Sequence, residues 1–208
     1  MASKGRSNGS RHTTAAKRTG TSAPHRVSAA TRKEPHNVPE GLEKLFIEQL
    51  KDIYGAEKQL LRAIPKMAKR ASKPELETGF NEHLEQTRGH VERLESIFES
   101  IGRSPVAKKC EAMEGLIEEA RGVVEEDFDP ATMDAALIGA AQKIEHYEIA
   151  TYGTLRTFAE TMGRDQVAAL LQQSLEEERA TDESLTRLAE AGINAEAAEP
   201  SQVEARAR

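Results

Sequence analysis

Two glutamates stand where leucines are due. Glu57 sits at the centre of the series Phe46, Leu50, Ile53, Glu57, Leu60, Ile64, Met67, and Glu148 at the centre of Leu137, Ala141, Ile144, Glu148, Thr151, Leu155, Phe158. Both series step four, three, four, three, which is the apolar seam of a bundled helix. An ionised carboxylate alone in such a seam costs several kcal/mol, roughly, or changes its protonation state. Two of them in related helices require something positive between them.

Other polar residues fall at the same level. The second helical stretch offers His83, Gln86, Thr87 and His90, the third offers Glu145 one turn before Glu148, and the fourth offers Glu177 and Glu178, with Thr181 and Asp182 a turn further on. An offset of 91 residues places Glu57 on Glu148, Leu84-Glu85-Gln86-Thr87 on Leu175-Glu176-Glu177-Glu178, and Leu94 on Leu185. One offset thus registers two separate helices, a pseudo-twofold pattern that sets four polar interruptions at one height. Converging carboxylates repel one another strongly in a low dielectric unless a cation lies between them. An oxygen-rich set with one or two imidazoles suits iron or manganese, and two ions bridged by glutamates would neutralise most of the charge. Open coordination positions on such ions bind water, dioxygen or peroxide. The candidate metal ligands are Glu57, His83, Gln86, Glu145, Glu148, Glu177 and Glu178.

Blander readings stand beside these. Glu57 and Glu148 could lie at a seam edge and pair with Lys or Arg. The run Glu176-Glu177-Glu178 has the look of a solvated face, with one member turned inward and Glu178 favoured by phase. His83 and His90 share a flank of their helix, where a histidine is more often at the surface or behind a ligand. His146 points away from Glu148, and Tyr54 and Tyr147 read as packed side chains with satisfied hydroxyls.

The elements that must position these residues are all helical. Charged residues make up 31% of the 208 and aromatics 4%, β-branched runs are scarce, and helix formers dominate, which together predict an all-α chain. The pattern predicts long helices over about 40–71, 74–101, 130–162 and 164–191. Pro39 suits a helix start, Pro65 should kink the first helix, and Gly102, Gly163 and Gly192 are stop signals. The second seam reads Phe80, Leu84, Thr87, Val91, Leu94, Phe98, Ile101, and the fourth reads Val167, Leu171, Ser174, Glu178, Thr181, Leu185, Leu188. Between the pairs, Cys110, Met113, Leu116, Ile117, Ala120, Val123 and Val124 mark a shorter amphipathic helix over about 107–126. The expected fold is a ferritin-like four-helix bundle with a long crossover that carries this short extra helix.

Residues 1–38 are expected to be a disordered basic tail, 39–191 the bundle, and 192–208 a flexible C-terminal tail. Residues 1–36 hold eight Lys/Arg and one acid, Glu34, for +7; against a total of −6 this leaves −13 for the rest. The tail reads first as a solubilising extension, second as a weak nucleic-acid contact, and third, by composition, as an organelle leader. A nucleic-acid contact predicts salt-sensitive DNA binding that vanishes when residues 1–36 are deleted, whereas a solubilising tail leaves DNA retention unchanged. No apolar stretch is long enough to span a bilayer, no secretory h-region is visible, and one cysteine, Cys110, fits a reducing compartment, so a cytoplasmic protein is expected.

The segments LKDIYGAEKQL (50–60), EHLEQT (82–87), KCEAMEGLIEEA (109–120), DAALIGAAQKIEHYEIATYGTLRT (134–157) and LEEERATDESLTRLA (175–189) resemble the YciE/YciF family of bacterial ferritin-like stress proteins. The resemblance covers roughly residues 40–190 and leaves the basic tail outside. It implies a ferritin-like bundle with a dimetal site of the rubrerythrin type, assembled as a homodimer and acting in stress responses. The general ferritin-like pattern takes one Glu from each of two helices and a Glu-x-x-His from each of the other two. Glu57 and Glu148 match the first part, but no Glu-x-x-His occurs; His83-x-x-Gln86, Glu145-x-x-Glu148 and the 176–178 acid run stand instead. Relatives commonly carry Glu at the position of Gln86, so this chain loses a charge there and keeps an oxygen donor. Three functions compete: a dimetal protein handling iron, dioxygen or peroxide; a non-catalytic helical dimer; and a DNA-associated protector tethered by the tail. A metal-free dimer predicts that Glu148→Leu stabilises the fold.

Overall fold

The structure is a computed structural model and describes residues 40–199. The expected N-terminal tail and its nucleic-acid contact, and residues 200–208, lie outside the described residues. Within them all regular structure is helical: α1 (Glu40–Arg70), α2 (Pro74–Ser100), α3 (Glu111–Glu125), α4 (Pro130–Thr161), α5 (Asp165–Leu188) and, after a wide turn at Ala189–Ile193, α6 (Asn194–Ala197). The four long helices and the short crossover helix are those the apolar spacing predicts.

The boundaries have local causes. Pro74 and Pro130 open α2 and α4, where a missing N–H costs nothing. Asp129 caps α4 by accepting from the Ala131 and Thr132 amides at 3.0 and 3.2 Å. Helices α2 and α4 end alike. Gly102 and Gly163 each take φ 69°, and the amides of Arg103 and Arg164 reach back to the Phe98 and Ala159 carbonyls at 2.9 Å. Helix α1 runs on through Pro65 as a single element. At Gly192 the chain kinks, with φ 153°, and resumes as α6 instead of leaving the helical path at 192. Buried Ile193 holds this extension to the body.

Helix α1 packs beside α2 and α4, and α5 packs beside α2 and α4, so the four long helices close a ring. All four neighbouring pairs are antiparallel. Glu43 meets Arg164 while Ser72 meets Asp134, which orients α1 against α4. Arg93 meets Ser174 while His83 meets Thr181, which orients α2 against α5. Asp134, fully buried near the start of α4, accepts from the Ser72 and Lys73 amides at 2.7 and 3.0 Å and so pins the α1–α2 turn.

The crossover lies on the seam between α1 and α4, with α3 packed on both. It approaches α1 at Gly55, where a Cβ would stand 1.7 Å from the Lys108 carbonyl oxygen. The Lys108 amide donates to the Lys51 carbonyl at 3.0 Å, and the Gln59 amide nitrogen donates to the Cys110 carbonyl at 3.3 Å. Glycine is required at 55 for contact, not for backbone freedom. Gly55→Ala is therefore expected to destabilise the chain by about 2 kcal/mol or more in urea unfolding. At Gly79, also mid-helix, an added Cβ meets nothing within 4 Å, so Gly79→Ala should stabilise by about 0.5–1 kcal/mol.

Candidate metal centre

The core of the bundle turns polar at mid-height. Glu57, His83, Thr87, His90, Glu145, Glu148 and Glu178 are all buried. His83, Glu145, Glu148 and Glu178 each offer one ligand atom, and these lie within 4.8 Å of one another. Glu57, His90 and Glu178 form a second such group, so Glu178 belongs to both. Each of the four long helices contributes: Glu57 from α1, His83 and His90 from α2, Glu145 and Glu148 from α4, and Glu178 from α5.

Most of these atoms lack protein partners. Both oxygens of Glu148 and of Glu178, Oε2 of Glu57 and of Glu145, Nε2 of His83 and Nδ1 of His90 make no hydrogen bond. The contacts between them are close but not aligned for one: His90 Nδ1 lies 2.9 Å from Glu178 Oε1 and 3.5 Å from Glu57 Oε1, and His83 Nε2 lies 3.3 Å from Glu145 Oε1. Buried unpaired polar atoms each cost about 1–3 kcal/mol, and more when charged. Eight of them converging on one small volume is the arrangement expected of a set of cation ligands. Four carboxylates balance the charge of two divalent ions, and two imidazoles beside them match the donor preferences of iron or manganese. The residues present therefore fit a two-metal centre.

The surrounding contacts orient these ligands. Tyr152, fully buried on α4, donates its hydroxyl to Glu57. Its ring meets that of His90 edge-on, with centroids 5.8 Å apart. His90 Nε2 lies 2.8 Å from Glu177 Oε2, and Arg93 grips both Glu177 oxygens at 3.1 Å. With Nε2 donating to Glu177, the His90 Nδ1 lone pair turns toward Glu57 and Glu178, as in a carboxylate–histidine–metal arrangement. The Thr181 hydroxyl contacts His83 Nδ1 at 3.4 Å and Gln86 Oε1 at 3.2 Å. Thr87, although buried at this level, is spent on the His83 carbonyl at 2.9 Å.

Among the candidate ligands, the structure brings together Glu57, His83, Glu145, Glu148 and Glu178. Glu177 stands outside both groups, partly exposed and engaged by Arg93 and His90. Gln86 lies beside Thr181 on the rim. His90, read from sequence as a flank residue, is fully buried. The seam of α2 is in fact Leu76, Phe80, His83, Thr87, His90, Leu94, Ile97, stepping four, three, four, three, and Leu84 and Val91 are only partly buried beside it. In α4 the series steps from Glu148 to Tyr152 and Ala159, not to Thr151 and Phe158. Tyr54 and Tyr147 do have satisfied hydroxyls: Tyr54 donates to Glu95 at 2.6 Å, and Tyr147 meets Cys110 Sγ and Asp52, both at 3.0 Å.

An antiparallel four-helix ring with a long crossover, enclosing carboxylates and imidazoles contributed by all four helices, defines a ferritin-like bundle. The profile of the family described as "Domain of unknown function (DUF892)" matches residues 41–198. Protein YciF of Escherichia coli (strain K12) is 50% identical over 157 residues, 75% of this chain and 95% of its own length. The crystal structure of the E. coli stress protein YciF superposes with a TM-score of 0.72, covering 75% of this chain and 99% of that one. A putative structural protein, YcfI, from Rhodopseudomonas palustris is 40% identical, with a TM-score of 0.69 over 73% of this chain and 96% of its own. The chain belongs to the YciE/YciF family.

Protonation follows from the crowding. Burial, and then the Glu178 carboxylate, push Glu145 well above the usual carboxylate range, and burial with Glu178 and Glu57 does the same to Glu148. Burial works against a charged His90, but the close Glu178 and Glu57 carboxylates overcome it and raise the imidazole to about 11. Burial also opposes charge on Glu178, yet His90 holds it below the usual value, and Arg93 does likewise for Glu177. In the metal-free protein Glu145 and Glu148 keep protons that the unfolded chain releases near 4.5, and His90 keeps one released near 6.5. Native protein thus binds more protons than unfolded across the neutral range, and stability falls as pH rises. The lowered Glu177 and Glu178 oppose this only below about 4.5. Calorimetry of metal-free protein should show a lower Tm at about pH 8 than at about pH 5.5, by several degrees.

Proposed function

We propose that the chain is a carboxylate-bridged two-metal protein, with iron or manganese as its ions, acting in a bacterial stress response. The observation that carries this reading is the set of eight unpartnered ligand atoms closed inside the bundle. Glu57 and His90 would hold one ion, His83, Glu145 and Glu148 the other, and Glu178, common to both groups, would lie between them. Such a pair of ions, when bound, supplies binding of dioxygen or peroxide and exchange of electrons with it.

The residues of the chain supply the rest. Tyr152 fixes Glu57 through its hydroxyl and closes that side with its ring. Arg93 fixes Glu177, which fixes His90, so the imidazole meets its target in one orientation. Phe46, Leu50, Ile53, Leu60, Leu94 and Leu137 keep the seams dry above and below the polar layer. The name "stress protein" given to the E. coli relative supports the cellular setting. The reading extends to a cytoplasmic homodimer, expected in light scattering at twice the 22.8 kDa chain mass.

Elemental analysis tests the centre. Protein reconstituted anaerobically with ferrous iron should hold about two ions per chain, and Glu57→Ala/Glu148→Ala about one or fewer. Wild-type protein with less than about one ion per chain would sink the two-metal reading. Bound metal should also raise the Tm of wild type and leave that of the double variant nearly unmoved.

A further inference from the structure

The two halves of the polar layer do not face solvent equally. A cavity of about 200 Å³ opens between α2 and α5, and His83 and Glu145 line it. Neither Glu57 nor His90 borders it. We infer that this groove is the route by which a divalent cation reaches the buried carboxylates, meeting His83 and Glu145 first. The inference rests on the two-metal reading and adds a direction of entry to it.

Three observations carry it. The first is the state of the inner wall: His83 is 4% exposed, and its Nε2 and Glu145 Oε2 make no hydrogen bond, so two residues with unpartnered ligand atoms line the same cavity. The second is the chemistry of the path. Gln86, Thr181 and Ser184 line it with neutral polar groups, and oxygens of this kind replace hydration water around a hard cation one at a time. Glu82 stands on the rim, and the charge of Arg187, also on the rim, is faced by Glu183 at 3.9 Å. The third is the condition of the opposite half. Glu57 is occupied by the Tyr152 hydroxyl, the outer nitrogen of His90 is taken by Glu177, and the Arg93 guanidinium covers that carboxylate. At that end Arg93, Glu177 and His90 are already committed to one another, while the α2–α5 groove leads to carboxylate and imidazole atoms that make no hydrogen bond.

Ser184 and Gly79 line the groove and belong to neither ligand group, so they can change its charge without touching the site. Cobalt(II) chloride is mixed with full-length metal-free protein, and uptake is followed by absorbance to its end point. Ser184→Arg should load about tenfold or more slowly than wild type and reach the same stoichiometry. Gly79→Arg, at a position where an added Cβ meets nothing within 4 Å, should repeat the effect from the other helix. Ser96→Arg, an exposed position away from the cavity on α2, adds the same charge and should load at the wild-type rate. If both groove variants load as fast as wild type, or if Ser96→Arg slows uptake equally, the route is wrong while the metal site stands. If wild type binds no cobalt at equilibrium, the two-metal reading fails and the route falls with it.

Discussion

Mutual repulsion among four carboxylates in a dry interior is the constraint on which the rest of the structure depends. Glu57, Glu145, Glu148 and Glu178 are buried together, and the chain does not supply enough positive charge to compensate them. His90 is held close to two of them, and the Arg93 guanidinium is spent on Glu177. The metal-free protein lowers the cost by holding protons on Glu145 and Glu148 and by charging His90. This arrangement is tolerable rather than favourable, because taking the carboxylates out of water costs more than the two retained protons recover. Long helices make it sustainable. Apolar seams extend on both sides of the polar layer and stabilise enough to offset a strained middle.

A site of this kind needs its helices held in register as well as held together, and the crossover performs that on the α1–α4 side. Tyr147 and Glu148 are neighbours on α4 and project in different directions. Glu148 enters the core, while Tyr147 reaches Cys110 at the base of α3 and Asp52 on α1. Displacing α4 along its axis would break both engagements at once. The close approach of the chain at Gly55, two residues before Glu57, sets the crossover against α1 at the same height. Asp134 ties the far end of α1 to the start of α4. Burial raises the Cys110 thiol and the Tyr147 hydroxyl away from ionisation, so these two groups take part through their hydrogen bonds rather than as charges.

The helices, their order and the paired glutamates were legible because they rest on period and composition, which need no tertiary context. Glu57 and Glu148 stand out against leucine and isoleucine, so their burial could be inferred directly. His83 and His90 were harder, for a physical reason. A seam is found by choosing the most apolar phase, and Leu84 and Val91 outrank the histidines beside them. The true phase sacrifices apolar area to place two imidazoles inward, and only the carboxylates on other helices make that worthwhile. One signal was available: Leu76, Phe80, Thr87, Leu94 and Ile97 keep a regular step only if 83 and 90 fill the gaps. Tyr152 was missed by the same preference, since a step of three from Glu148 reaches Thr151 and a step of four reaches the tyrosine that bonds Glu57. The contact at Gly55 was not legible, because the spacing reads Lys108 as already helical, whereas α3 begins at Glu111 and leaves the Lys108 carbonyl free to meet α1.

The internal offset of 91 residues explains how the site departs from a symmetric one. It relates Glu57 to Glu148, Thr87 to Glu178, and His90 to Thr181. A symmetric ancestor of the ferritin-like pattern would carry Glu-x-x-His on both α2 and α5. Here α2 keeps the histidine of that pair with Thr87 in the place of the acid, and α5 keeps the acid with Thr181 in the place of the histidine. Two half-motifs therefore make up one whole, divided between facing helices, and His90 closes on Glu178 across the gap. What the threonines give up is restored off the symmetry axis. His83 and Glu145 have Ser174 and Tyr54 as their counterparts, so they exist on one side only. They are also the two members of the buried cluster that border the α2–α5 groove. The broken symmetry thus separates a sealed half, built from Glu57 and His90 behind Tyr152, from an accessible half built from His83 and Glu145. Two positions that are chemically similar on paper are inequivalent toward solvent, and that inequivalence comes from four side chains, not from the fold.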